Sequence, residues 1–158
     1  MIKSTWKYRL VLVIMAASAG PIVATPTAAA LGTAGTVSAS QALALVNQER
    51  ARAGCVSLRV VRKLQNPAEQ QSQDQADRDS FSHDGANGST SASRLGGLGY
   101  SRWGENVAQA QSAHAAVNFW AHSPRHRANM LNCVFTETGL ALASSDSGRF
   151  YWTQTFGG

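Results

Sequence analysis

Cysteine is scarce in this chain: Cys55 and Cys133 are the only two among 158 residues. Two thiols are too few for an all-cysteine zinc site, and no C-x-x-C pair suggests one. Long charged runs are missing too. The formal net charge is +5, but Lys3, Lys7 and Arg9 place three of the 14 cations in the first thirty residues, which hold none of the nine acids. Beyond residue 30, eleven cations face nine acids, interspersed, with no basic run longer than Arg62-Lys63. That pattern lacks the electrostatic footprint of a nucleic-acid binder. No apolar stretch reaches the roughly 20 residues that a membrane-spanning helix needs. No internal repeat is present, and no G-x-S-x-G elbow marks a nucleophilic serine.

What is present is enough apolar material, 44% of residues, for one domain with a real core. Residues 1–30 stand apart. A basic opening (Lys3, Lys7, Arg9) leads into an apolar run from Leu10 to Ala24, interrupted by Pro21, and then to Ala28-Ala29-Ala30. Basic start, short apolar centre and an A-x-A end predict a cleaved secretory signal peptide, and hence an extracellular mature protein with no transmembrane anchor; an uncleaved anchor is the other reading. Residues 31–39 are small and aperiodic and read as a flexible lead-in. The domain proper runs over 40–158. In an oxidising compartment the two cysteines are most simply one disulfide, Cys55 to Cys133; two buried free thiols are the other reading. A bridge would close a loop of nearly 80 residues, worth at most about 4 kcal/mol in the chain-entropy treatment.

Ser38 and Gln41 form an S-x-x-Q capping box at the head of a first helix, with Ala42, Leu45, Val46 and Glu49 on one stripe and Gly54 as its stop. "SLRVV" reads as a short extended piece. In "NPAEQQSQDQADRD", Asn66 as cap and Pro67 at the first helical position predict a second helix that starts there. "FSHDGANGSTSASRLGGLGYSRWGEN" reads as one long loop, a length that is usually functional. A further helix starts near Ser112 with Ala113, Ala116, Val117 and Trp120 on its apolar stripe. "TGLALAS" and "RFYWTQTFG" are strand-like, with "SDSG" as the hairpin turn between them.

His122 and His126 stand four apart, the spacing of a helical zinc pair. Pro124 lies between them. Its ring disfavours the α region at Ser123, and Ser123-Pro124 is itself a cap followed by a first helical position. One helix therefore ends near His122 and another begins, carrying His126, so the two rings do not share a face. The glutamate that would follow the first histidine of a zincin motif is absent as well.

"FSHDG", "GYSRWGENVA", "FWAHSPRHRANMLNC" and "YWTQTFGG" occur in the order, and at about the separations, of the CAP superfamily: cysteine-rich secretory proteins, antigen 5 and pathogenesis-related 1 proteins. Over residues 40–158 the chain most resembles the small secreted bacterial members. The resemblance implies an α+β fold, a three-layer α-β-α sandwich around a mainly antiparallel sheet. It also implies a cavity lined by His83, Glu105 and His126. Ser123 stands where many members carry a second glutamate, so one carboxylate is missing. Pro67 falls where the family's second helix is usually under way, which implies a late start for it here.

Two neutral imidazoles and a carboxylate supply three ligands for a first-row ion, zinc foremost, with one coordination position open. The leading expectation is therefore a secreted binding module that takes a divalent metal, a small ligand, a lipid or a cell-envelope component. A metal-assisted hydrolase is the alternative from a different class, since His83, Glu105 and His126 could also hold a general base or a metal-bound water. No nucleophile is marked; Ser82 adjoins His83, and neighbours on an extended chain point apart. An extracellular interaction domain with a structural cavity is the third. His114 and His122 are expected at the surface or in packing, Asn106 and Asn129 as partners of backbone groups around the site, and Trp103, Trp120 and Trp152 in the core or at its rim.

Overall fold

A computed structural model describes residues 37–158. The expected signal peptide, and all but the last three residues of the expected lead-in, lie outside the described residues. In chain order the elements are α1 (Ala39–Arg52), β1 (Arg59–Val60), α2 (Arg62–Asp77), α3 (Ser91–Leu95), β2 (Trp103–Gln109), α4 (Ala113–His122), α5 (Pro124–Met130), β3 (Glu137–Ser144) and β4 (Phe150–Gly157).

Local sequence explains several boundaries. Ser38 caps α1, its hydroxyl accepting from the Gln41 N–H at 3.2 Å, and Gly54 follows the helix end with φ +76°. Ser112 caps α4 in the same way through the Ala115 N–H. Ser123 separates α4 from α5 in extended backbone, with Pro124 at the first position of α5. The break expected at Pro124 is therefore present.

Two expectations fail. α2 does not start at Asn66: it begins four residues earlier at Arg62, and Pro67 sits inside it. An interior proline forfeits a hydrogen bond, here to the Lys63 carbonyl, at a cost of about 3 kcal/mol in a free helix. Tertiary contacts outweigh that cost. Gln65 donates to the Leu140 carbonyl and accepts from the Leu140 N–H, and Thr155 donates to the Leu64 carbonyl at 2.8 Å. Gly139 faces the same turn, where any Cβ would collide with the Leu64 carbonyl. The long loop is also not all loop. It contains α3, capped by reciprocal Thr90–Ser93 bonds, and it ends in the first residues of β2.

The sheet order is β1-β3-β4-β2. β3 pairs antiparallel with β4 and β4 with β2, while the short β1 runs parallel to β3. Alternation sends Trp152 and Phe156 of β4 to one face, where they join Val46 of α1, Trp120 of α4, Met130 of α5 and Phe135 in one apolar core. The other face meets α2. The fold is the α-β-α sandwich expected, with a mainly antiparallel sheet. Cys55 and Cys133 are joined in a disulfide, which settles the two readings of that pair. Beside it the fully buried Arg50 donates to the carbonyls of Val56, Met130, Asn132 and Phe135 at 2.7–3.0 Å. Burial pushes its guanidinium below the usual arginine range.

Candidate functional site

β2 forms one edge of the sheet, and its two faces serve different layers. Glu105 faces the side of α2 and α3. Its carboxylate is almost wholly buried, and three side chains make four hydrogen bonds to it. Arg94 of α3 gives Nη2 to Oε1 at 3.0 Å and to Oε2 at 2.8 Å; Ser91 Oγ donates to Oε1 at 2.8 Å; His83 Nδ1 lies 2.9 Å from Oε1. Burial alone would raise the Glu105 pKa. The hydrogen bonds from His83 and Arg94, the Arg94 charge and the Ser91 hydroxyl outweigh it and hold the carboxyl below its ordinary value.

An ionised carboxylate can only accept, so His83 must donate from Nδ1. In the neutral ring that fixes the tautomer and leaves Nε2 with its lone pair. The His83 ring is about half exposed, while the backbone behind it is held: Arg94 Nη2 also donates to the His83 carbonyl at 2.7 Å.

His126 arrives from the opposite layer. It sits in the first turn of α5, and its carbonyl accepts from Asn106 Nδ2 at 2.9 Å. Asn129, one turn on, donates to the Glu105 carbonyl and to Asn106 Oδ1. Both asparagines thus tie α5 to the strand that carries Glu105. The His126 ring lies 6.2 Å from that of His83 and 5.3 Å from that of Phe119, centroid to centroid. Burial, and then the proximity of His83, lower its pKa, so it is neutral at pH 7. Its Nδ1 is buried with no hydrogen-bond partner.

The structure therefore brings His83, Glu105 and His126 together from three distant stretches of chain. His122 is not part of the group. Its ring turns back on α4, with Nδ1 2.9 Å from the Asn118 carbonyl, and His114 is exposed on the same helix. Ser82 beside His83 accepts from the Asp84 N–H, and Ser91 is committed to Glu105, so neither hydroxyl is bonded to an imidazole. Trp120 and Trp152 are core residues and Trp103 lies at the rim.

Sequence reasoning missed Ser91 and Arg94. The signal was an arginine inside a Gly/Ser-rich stretch, four residues after Thr90, with Ser93 completing a weak cap pattern. With both Glu105 oxygens engaged, the open donors are the two imidazoles. Among the described residues, no three His, Cys, Asp or Glu side chains are grouped to hold a metal ion.

Residues 43–156 match the family described as the Cysteine-rich secretory protein family. Over 145 residues the chain is 32% identical to the protein YkwD of Bacillus subtilis (strain 168), covering 89% of this chain and 55% of YkwD. The chain thus spans about half the length of that curated relative. A solved extracellular protein of Bacillus anthracis that contains an SCP domain is 33% identical with a TM-score of 0.63, over 75% of this chain and 39% of the other. An outer surface protein of Borrelia burgdorferi, at 17% identity, shares the fold with a TM-score of 0.66 over 73% of this chain and 87% of its own.

Proposed function

The chain belongs to the cysteine-rich secretory protein family, and from that premise we propose that it is a secreted, extracellular binding module whose His83–His126 pair takes a divalent metal ion, zinc foremost. The observation that carries this reading is the state of the two rings. Glu105 holds His83 in the tautomer that leaves Nε2 open, and the neutral His126 has a buried Nδ1 without a partner. An orphaned imidazole nitrogen on a ring beside a second imidazole is a donor set suited to zinc. The centroid separation of 6.2 Å is within about an ångström of what two imidazoles require to share one tetrahedral ion, given Zn–N bonds of about 2.0–2.1 Å.

His83 and His126 would hold the ion. Glu105 would stand behind His83 and raise its basicity rather than ligate directly. Two protein ligands leave coordination positions for a small ligand or a group on a cell-envelope component. Export is supported by the basic-apolar-small order of residues 1–30, by the disulfide and by the description of the Bacillus anthracis relative as extracellular.

The test is calorimetric zinc titration of exported, untagged protein. Wild type is expected to bind one ion, and His83→Ala and His126→Ala each to lose binding. Loss of binding is also expected as pH falls below about 6.5, where free imidazoles take up protons. A wild type that takes up no zinc, or two alanine variants that bind as well as it does, overturns the reading.

A further inference from the structure

Ser82, His83 and Asp84 belong to no helix or strand, yet five of their six backbone N–H and C=O groups are bonded to side chains. Gln71 Nε2 donates to the Ser82 carbonyl at 2.7 Å and the Ser82 N–H donates to Gln75 Oε1 at 3.3 Å; Arg94 takes the His83 carbonyl; the Ser82 hydroxyl and Arg78 take the N–H and carbonyl of Asp84. A connecting loop satisfies its backbone with water. This one is gripped, and the grip on the residue before His83 comes from two glutamines that are themselves wholly buried.

We propose that Gln71 and Gln75 are positioning residues for His83: two amides one turn apart on α2 hold both backbone groups of Ser82 and so set where the imidazole meets Glu105. The inference deepens the metal-binding reading, and only the zinc arm of its test rests on that reading. The amide orientations follow from the network. Gln75 Nε2 donates to the Gln71 carbonyl at 3.4 Å and to Thr153 Oγ1 at 3.1 Å, and a carbonyl can only accept, so Oε1 must face the Ser82 N–H. Gln71 presents its nitrogen for the same reason, against the Ser82 carbonyl. Burying two amides is costly unless their bonds are made, and Gln71 Oε1 is left without a partner, so leucine or methionine would fill the same space at less cost. What the amides add is direction: together they fix the Ser82 peptide groups as a neighbouring strand would. Gln65 does the same to Leu140 with one amide, donating at 3.1 Å and accepting at 3.0 Å. The device is thus used twice on α2, once on the sheet and once on the residue preceding His83.

The test compares Gln71→Met and Gln75→Met with Gln65→Met in the whole protein. The readouts are thermal stability, zinc affinity and the tautomer of the His83 ring from long-range proton–nitrogen NMR correlations. Wild type is expected to show one tautomer, protonated at Nδ1. Gln71→Met and Gln75→Met are expected to show mixed tautomers and roughly tenfold weaker zinc binding, the scale on which supporting residues act on metal affinity. Gln65→Met is expected to lower the melting temperature and leave the His83 signals unchanged. If the His83 signals stay as in wild type in both site variants, or if Gln65→Met moves them equally, positioning by Gln71 and Gln75 is refuted. A wild type that takes up no zinc refutes the metal reading alone, because the tautomer signals still decide this one. Should a methionine variant fail to fold, Gln71→Glu keeps the shape and sets an acceptor against the Ser82 carbonyl, and the same signals decide.

Discussion

On one face of the sheet α1, α4 and α5 bury Val46, Trp120, Met130 and Trp152 against each other; on the other, α2 meets the sheet through Gln75 donating to Thr153 Oγ1, Thr155 donating to the Leu64 carbonyl and Gln65 bonded to both backbone groups of Leu140. The first contact is apolar and non-directional, and its strength scales with the area removed from water. The second is a set of aimed hydrogen bonds, each adding on the order of 1 kcal/mol net but costly when left unmade. The site lies at the β2 edge, where both layers reach. His126 rides on the apolar layer and His83 follows the polar one. The apolar layer supplies stability, and the polar layer supplies placement.

The largest test of that division is Trp120→Ala. The indole is fully buried and its Nε1 donates to the Val107 carbonyl at 2.8 Å. Chemical denaturation is expected to show a loss of about 3–5 kcal/mol. Next comes Glu105→Gln. It keeps the shape but leaves the buried Arg94 guanidinium without its acid, and a loss of about 2–3 kcal/mol is expected, in line with charged hydrogen bonds. The reverse ranking would mean that the site edge, and not the apolar layer, holds the fold together.

These two residues also show what could be read in the sequence. Trp120 lies on a four-residue stripe of α4 that the helical period exposes at once, and its cap and its Ser123-Pro124 ending are equally local signals. Glu105 was identified through the motif resemblance, but its strand was not. β2 carries Trp103, Glu105, Val107 and Gln109 on one face and Gly104, Asn106 and Ala108 on the other. Both faces mix polar and apolar residues because both serve the site, so no alternation survives to be read. Arg94 and Ser91 were hidden in a Gly/Ser-rich stretch whose five-residue helix is too short to show a period. Gln71 and Gln75 look like solvated helix surface, and their burial follows from the docking of α2 on the sheet and from the bonds to Ser82 and Thr153, neither of which is local in sequence. Pro67 misled for a related reason: the local rule for proline was outweighed by contacts from Gln65 and Thr155 that join residues far apart in the chain.

A smaller effect should appear with acid, and two groups of the site contribute to it with the same sign. The Glu105 pKa is lowered in the fold, so its contribution is complete above the unfolded value near 4.5 and is lost as pH falls through the folded one. The His126 pKa is also lowered. Below about 6.5 the unfolded chain takes up a proton there that the folded chain refuses, so stability starts to fall at that point. Unfolding free energy followed from pH 7.5 to 3.5 should decline in two stages. His126→Asn should remove the first stage and keep the second. A flat profile down to pH 5 in wild type would mean that the His126 ring is more hydrated than its place beside Phe119 implies.

The smallest expected change is the most discriminating. His122 and His126 are four residues apart, and on an unbroken helix the pair would offer a local alternative to a site assembled from distant parts of the chain. Here Ser123 stands in extended backbone between α4 and α5, and the His122 ring is bonded to the Asn118 carbonyl on the exposed side of α4. His122→Ala should leave stability within about 0.5 kcal/mol, as exposed substitutions do, and should leave zinc affinity unchanged. Pro124→Ala sharpens the point. It restores an N–H and lifts the restriction on Ser123, yet α5 is still tied to β2 through Asn106 and Asn129, so the two rings should remain apart. If His122→Ala abolishes zinc binding while His83→Ala does not, the proline break fails to separate the rings in solution. The edge of β2 would then lose its place as the meeting point of the two layers.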